Sequence, residues 1–568
     1  MLREYLKLRK STLFLGVILV GFLIGGLVYA LSDNLYANLK DLGEIASVVR
    51  SQYVEEVDPR NLIRAGIEGM LSSLDPYSEY LDEKQYQALL EDTYGQFEGL
   101  GIEIAISDGW LTVIAPLEDT PADRMGIQAG DRIIEIEGIS TEGITAEEAV
   151  TKLRGKKGTV VNITIQREGI PEPMEYAIVR DVIEIRSVPY YGITSNKIGY
   201  VRLNRFSEIS SYELKDAISE LLQKEIKGLI LDLRSNPGGL LTQAIEVASI
   251  FLDKDKLVVE TKGRVSSQNR RFFSSDKPLS TELPLAVLVD EGSASGSEIV
   301  AGAIQDWDRG VIVGAPTFGK GLVQSLMQMK DGAALKLTTA KYYVPSGRCI
   351  QKPELSRKSS QQPEEGPPSD SVQQEADLKK EEFSTKRGRV VYGGGGIVPD
   401  VLVTPDRLSP LEYNLLAKLT FFDFAVHYTA THPKLPKDFE VDQSILKEFK
   451  QFLKTKNFSY KTASEIELER LKETIKEEVG LESTYGEGKR TIPQVLTDLE
   501  KLLKAQKEND LKESEDYIRW KIKESITVKL YGQSAKYEEV WFNYHPEIKK
   551  AIQILSDPDE YKSLLSIK

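Results

Sequence analysis

The spacing of hydrophobic positions along this chain changes several times, and each change marks an element or a domain. Leu13 to Leu31 is an unbroken uncharged run, LFLGVILVGFLIGGLVYAL. Its nineteen residues would span about 28 Å as a helix, close to the ~30 Å of a bilayer's hydrocarbon core. Residues 33–94 carry a helical pattern that puts Leu62, Ile63, Ile67, Met70 and Leu74 on one face, until Asp75-Pro76 breaks it. Over 95–185 short alternating segments (LTVIAPL, DRIIEIEGI, TVVNITIQREG) predict a β-rich domain, with ITAEEAVTKLRG as a helix between two strands. After Lys197 the alternation lengthens. GYVRL, GLILDLR, PLAVLVD and GVIVG read as buried strands, with SSYELKDAISELLQKE, LTQAIEVASIFL and SEIVAGAIQDW as helices between them. That rhythm predicts an α/β core over 186–351 and 389–405. Residues 352–388 are rich in Pro, Ser, Gln and charge and predict a disordered insertion. From 406 to 568 the pattern is helical. Ile445, Leu446, Phe449, Phe452 and Leu453 form one stripe, and Val495, Leu496, Leu499, Leu502 and Leu503 another. The fold class is therefore multidomain α/β, with helical segments at both ends of the chain.

Composition narrows the chemistry. Hydrophobic residues make up 41% and charged ones 28%, enough for ordinary globular cores. The formal charge, 73 − 87 = −14, speaks against nucleic acid as a partner. One cysteine, Cys349, excludes an intrachain disulfide and every CxxC site. The three histidines, His427, His432 and His545, all lie near the C-terminus. A site in the first 426 residues must therefore work without a local imidazole. This excludes an HExxH metal helix, and a Ser-His-Asp triad would need a histidine from the C-terminal region. No metal and no cofactor is expected. Arg3, Lys7, Arg9 and Lys10 against Glu4 put residues 1–12 in the cytoplasm. Residues 13–32 then form a retained single-pass anchor in the inner membrane, with the remainder in the periplasm. The alternative, a cleaved signal peptide, usually has a shorter apolar region.

Three segments carry candidate chemistry. In VLVDEGSASGSEIVAGAIQD (287–306) a buried strand runs into a turn of small residues and then a helix. Such a turn can hold Ser295 exposed with backbone N–H groups aimed at an oxyanion. The plain alternative is a helix N-cap at Ser297, with Ser293 and Ser295 as turn residues. VIVGAPTFGKGLVQ (311–324) nearly matches a P-loop as Gly314-xxxx-Gly319-Lys320, but Gly321 stands where a Ser or Thr should ligate Mg²⁺. A lysine among glycines can instead act as general base for a serine, or simply lie at the surface. LRSNPGGLLTQAIEVA (233–248) puts Gly238-Gly239 between strand and helix, where free amides suit an oxyanion hole and a simple turn is the alternative. Gly393 to Gly396 reads as a tight turn.

Taken together, residues 40–405 resemble the carboxyl-terminal processing, or tail-specific, proteases. The matching pieces run in order: GIEGMLSSLDPYSEYL, GLGIEI with TPADRMGIQAGDRIIEIEG, LDLRSNPGGLL, DEGSASGSEIVAGAIQD, GAPTFGKGLVQ, LTTAKYYVPSGRCIQ and GGGGIVPDV. The resemblance implies an α/β serine protease core with an inserted-type, β-rich PDZ domain. It makes Ser295 the nucleophile, Lys320 the general base and Gln324 the residue that orients the lysine, with oxyanion donors near Gly238, Gly239 and Gly296. Such a lysine must be neutral. Lowering its reference pKa of ~10.4 by three units disfavours the charged form by about 4 kcal/mol, within reach of desolvation. In the PDZ-like part, Gly99-Leu100-Gly101-Ile102 would hold a peptide's terminal carboxylate, with Leu100 and Ile102 lining a pocket for the last side chain. The implied function is a serine endopeptidase acting on exported proteins with accessible C-terminal tails. The alternative is an inactive PDZ scaffold on the same fold. Tyr77 stands in DPYS where the family often has His. Residues 352–388 and 406–568 lie outside the resemblance, and 406–568 are expected to mediate homo-oligomerisation or binding of a helper protein.

Overall fold

Period-two burial on both faces organises the centre of the molecule. A computed structural model describes residues 36–353, 381–404, 407–478 and 492–566. They form two compact units: the residues up to Tyr86 with Gln324–Thr338, and Gln87–Val323 with Thr339 onward. In the larger unit the strands Tyr190–Ile193, Ile198–Arg202, Gly228–Asp232, Leu285–Val289, Val311–Gly314 and Val401–Leu402 lie side by side in that order. The first pair is antiparallel and the rest are parallel. Alternate residues face opposite layers. Leu229, Leu231, Val287, Val289 and Ile312 pack with the helices Ser210–Gln223, Leu241–Ser249 and Gly296–Asp306. Ile230, Ala286, Leu288, Val311 and Val313 pack with Ile548, Ala551, Ile554 and Tyr561 from the end of the chain. Each such buried Val, Leu or Ile contributes about 1.5–3 kcal/mol. Parallel strands covered on both faces are why these segments read as unbroken apolar runs.

The predicted boundary at 406 therefore divides differently. Helices Pro410–Ala417, Thr420–Thr431, Gln443–Thr455 and Glu515–Tyr531 bury Leu415, Phe421, Phe424, Phe449 and Ile522 in a core of their own. Tyr537 to Leu565, by contrast, form the second layer of the α/β core. The stripe from Ile445 to Leu453 is buried. The second stripe is not: in the helix Ile492–Glu513 Leu496 is buried, but Leu502 is 68% exposed and Val495 and Leu499 face solvent too. The helices Ala463–Glu478 and Glu515–Tyr531 pack against it and leave these residues open.

The β-rich domain is a sheet ordered Ile102–Ser107, Trp110–Pro116, Arg132–Ile136, Val160–Gln166, Met174–Val179. Entry and exit strands Gln96–Gly99 and Asp181–Glu184 pair with each other and close its base. Of the predicted disordered insertion, residues 354–380 lie outside the described residues, and the part from 381 to 388 is ordered. Glu382–Ser384 pairs with Val390–Tyr392, and the turn between them is tied down where Arg387 N–H and Arg389 Nε donate to Asp308. Charged residues that read as solvated are engaged by a buried carboxylate.

In the smaller unit Asp58 caps the helix Pro59–Ser72, and Glu79–Leu81 pairs antiparallel with Ala334–Lys336. Ile63, Met70 and Leu74, placed on one face by their helical spacing, are exposed. The apolar run Leu13–Leu31 lies outside the described residues. Among the described residues no helix is long and apolar enough to cross a membrane.

Candidate active site

The strand Leu285–Val289 delivers the chain to a turn built from small residues. Ser295 sits at its tip, partly exposed, with φ 52° and ψ −109°, outside the regions a side chain prefers. Close packing enforces this shape. A Cβ on Gly238 would stand 2.7 Å from Ser295 Cβ and 2.8 Å from Gly296 N. The three serines of the turn separate cleanly. Ser293 and Ser297 are buried, their hydroxyls donating to Leu233 O (2.8 Å) and Asn236 O (2.8 Å). The N-cap of the helix Gly296–Asp306 is Ser295, not Ser297.

A residue the sequence reading passed over joins this turn to the lysine loop. Glu298 is fully buried. One of its oxygens accepts from Thr317 Oγ1 (2.6 Å) and Gly319 N (2.7 Å), the other from Ser295 N (2.8 Å) and Lys320 N (3.0 Å). Burial pushes its carboxyl above the ordinary glutamate value, while these hydrogen bonds pull the other way. Four donors converging on two oxygens favour the ionised form against that burial. Its sequence signal was available, because Ser-x-x-Glu is the capping-box spacing. Tyr342 adds a second tie: its hydroxyl lies 3.1 Å from Ser295 O and also hydrogen-bonds Lys320 O. The lysine loop is braced from behind by the glycine run, since Thr317 and Ile397 exchange two hydrogen bonds (3.1 and 2.7 Å). A Cβ on Gly396 would meet Thr317 O at 2.6 Å. After Lys320 the chain enters the strand Leu322–Gln328 rather than a helix, so the P-loop context is missing.

The glycine loop lies against the same turn. Gly238 N–H donates to Asn236 Oδ1 (2.9 Å), so this amide is engaged; what Gly238 supplies is close approach. Gly239, at φ 147°, packs so tightly on Phe206 that a Cβ would meet its carbonyl oxygen at 2.3 Å. Asn236 O accepts Ala294 N–H (3.0 Å), and Ser235 N–H donates to Asp290 Oδ1 (2.6 Å). Below this loop lies a buried charged cluster. Asp232 accepts from Arg202, Arg234 and Tyr200 at 2.6–3.2 Å. Burial alone would raise the Asp232 carboxyl, but the two guanidiniums outweigh it and hold it below the carboxylate range.

Gln324 belongs to the smaller unit, where its Nε2 lies 3.3 Å from Thr338 Oγ1, itself 3.2 Å from Asp75 Oδ1. Asp75 also accepts Tyr77 N–H and Ser78 N–H, so DPYS is a structural turn. The histidines lie apart from Ser295 in their contacts. His427 pairs with Glu168 (2.7 Å), His432 stacks on Tyr428, and His545 contacts Arg234 (3.2 Å). Among the described residues no His/Cys/Asp/Glu group could hold a metal ion.

In the β-rich domain Ile102–Ser107 is an edge strand. Leu100 O accepts Ala122 N–H (3.0 Å) and Gly101 O accepts Leu117 N–H (2.9 Å). Gly101 needs its φ of 77°, since a Cβ would strike Thr120 at 2.3 Å. Leu100 does not line an open pocket: it is 2% exposed and part of the domain's core. Ile102 and Ile104 remain partly exposed beside the helix Ala146–Leu153.

A doubly covered parallel sheet with a strained serine at a strand–helix turn, joined to a PDZ module, defines a serine-type protease. The chain belongs to peptidase family S41, among the carboxy-terminal processing proteases. The profile for peptidase family S41 matches residues 197–357, that for a PDZ domain 112–167. The profile described as "Probable PDZ-protease, C-terminal helical domain" matches 411–555, and that for the N-terminal domain of the activating protease CtpB 29–85. The chain is 44% identical over 323 residues to a carboxy-terminal-processing protease of Bartonella bacilliformis, covering 56% of this chain and 74% of that one. It is 38% identical over 305 residues to the carboxy-terminal processing protease CtpA of Bacillus subtilis, covering 54% and 65% respectively. Among solved structures, a photosystem II D1 C-terminal processing protease is 27% identical with a TM-score of 0.36, over 63% of this chain and 86% of that one.

Proposed function

We propose that this protein is a membrane-anchored serine endopeptidase that captures the C-terminal tails of exported proteins on its PDZ domain and cleaves them by a Ser-Lys mechanism. One observation carries the reading. Of three serines in the turn only Ser295 is partly exposed, and a single buried carboxylate, Glu298, fixes its backbone and that of Lys320 together. The neutral Lys320 amine takes the Ser295 proton as Oγ attacks the scissile carbonyl, then returns it to the leaving amine. Gln324 orients the lysine, and the amides of Gly239 and Gly296 face the developing oxyanion. In the PDZ domain the edge strand Ile102–Ser107 pairs with the substrate's last residues, and the turn Gly99–Ile102 takes its carboxylate. Ile102 and Ile104 favour small or apolar terminal side chains. The anchor and the periplasmic placement rest on the sequence of residues 1–32 alone. The exposed face of Val495, Leu499 and Leu502 is where a second copy or a helper protein would bind.

The test is cleavage, without nucleotide and with a metal chelator present, of an unfolded reporter protein ending in two alanines. Wild type should cut it and Ser295→Ala should not. Amidating the tail removes a charge-assisted hydrogen bond of roughly 1.5–3 kcal/mol and should raise KM about tenfold or more. Equal cutting by Ser295→Ala would refute the nucleophile assignment, and equal KM for the amidated tail would refute the capture mode.

A further inference from the structure

The charged cluster beneath the glycine loop is completed from the far end of the chain. Arg234 is 5% exposed, and its Nη1 donates to Glu547 Oε2 at 3.0 Å. Glu547 is equally buried and lies in the first turn of the helix Pro546–Ser556, 313 residues further on. The N-cap of that helix, His545, places Nδ1 3.2 Å from the same Arg234 nitrogen. A guanidinium only donates, so Nδ1 accepts and the proton resides on Nε2, which is buried with no hydrogen-bond partner among the described residues. Trp541 covers Arg202 and Arg234 with its ring.

Charge counting shows what the tail supplies. The groups in direct contact are two guanidiniums, Arg202 and Arg234, and two carboxylates, Asp232 and Glu547. Without Glu547 the cluster keeps an unbalanced buried cation, which water relieves most easily if Arg234 swings out. The backbone ties Arg234 to the Ser295 turn on both sides. Its neighbours are Leu233, whose carbonyl accepts Ser293 Oγ, and Ser235, whose amide donates to Asp290 from a strained φ of 53°. Both contacts lead into the Ser295 turn.

We propose that Glu547 and His545 are positioning residues for the active site: they hold Arg234, and through it the 233–239 loop that backs Ser295 and presents the Gly239 amide. The inference rests on the protease reading for its kinetic consequence only. The end of the chain thus completes the catalytic machinery, a role distinct from the partner binding expected of the C-terminal region.

The test uses the full-length chain in mild detergent, with Glu547→Gln, Glu547→Asp and the charge-balanced pair Arg202→Gln/Glu547→Gln. Cleavage of the two-alanine reporter is measured alongside peptide-resolved hydrogen exchange. Glu547→Gln should lower kcat per titrated active site about tenfold or more with KM within twofold. Exchange should quicken over 233–240 and 290–297 while the strand Val311–Gly314 stays protected. Glu547→Asp should lose less, and the charge-balanced pair should regain several-fold over Glu547→Gln. Wild-type kcat in Glu547→Gln, unchanged loop exchange, or exchange quickened evenly across the whole core would overturn the proposal, as would a charge-balanced pair no faster than the single variant. If Glu547→Gln does not fold, the other two variants decide: local loop exposure with lowered kcat supports it, and wild-type loop exchange in both overturns it. A wild-type protein no more active than Ser295→Ala would sink the protease reading instead. The exchange data would still decide whether Glu547 holds the loop.

Discussion

Two buried carboxylate knots hold the two sides of this active site, and they are built in opposite ways. Glu298, under the Ser295 and Lys320 loops, meets neutral donors: three backbone amides and the Thr317 hydroxyl. Asp232, under the glycine loop, meets two guanidiniums, the Tyr200 hydroxyl and one backbone amide, that of Arg234. Burial dominates at Glu298 and raises its pKa; at Asp232 the cations win and lower it. A carboxylate that collects amides fixes backbone with high directional precision but stays easy to protonate. One that collects arginines is hard to protonate but depends on the charge balance of its whole cluster. The first arrangement fixes the backbones of Ser295 and Lys320, the second the loop behind them.

The sharpest way to break this contrast is Glu298→Gln. A carboxamide offers one acceptor oxygen and turns an NH₂ toward two donors, so two ties fail. At about 3 kcal/mol this corresponds to about a hundredfold loss in kcat with KM little changed, read by steady-state kinetics on the two-alanine reporter. A change below threefold would mean that Glu298 does not position the pair.

Acid should separate the knots next. Above its raised folded pKa, ionised Glu298 costs stability relative to the unfolded chain. Protonation on acidification therefore does not unfold the protein through this group, but it does cut the tie between Ser295 and Lys320. Asp232 behaves oppositely: its depressed pKa contributes stability that is complete above the ordinary carboxylate value of 3.8 and is lost as pH falls further. Activity should therefore disappear on the acid side while circular dichroism still reports a folded chain. Coincident loss of activity and structure would contradict this ordering. The smallest effect is expected from Tyr342→Phe, which removes one hydroxyl bridging Ser295 O and Lys320 O. At about 0.5–1.5 kcal/mol it should slow turnover roughly two- to tenfold, with the melting temperature as control.

Much of this was legible in the sequence, and the gaps have physical causes. Strands such as Leu285–Val289 announce themselves because both faces are buried. Ser295, Lys320 and the glycines stand in short local motifs. Glu298 was legible too, as the fourth residue of a capping box, but looked like ordinary helix chemistry. The Glu547–Arg234 contact was not legible: no local pattern links positions 313 residues apart, and a glutamate early in a helix reads as a dipole partner. For the apolar faces of Pro59–Ser72 and Ile492–Glu513, which are largely exposed, helical periodicity reports the face without saying what covers it.

The central claim is that Ser295 is the nucleophile and Lys320 its base, and the rate of covalent labelling tests it most directly. A fluorophosphonate probe, followed by peptide mapping, should modify wild-type protein at Ser295 and leave the buried, hydrogen-bonded Ser293 and Ser297 untouched. In Lys320→Arg, whose guanidinium cannot accept a proton, labelling of Ser295 should fall at least about a hundredfold in a folded protein. Label on another serine, or equal rates in the two proteins, would contradict the account.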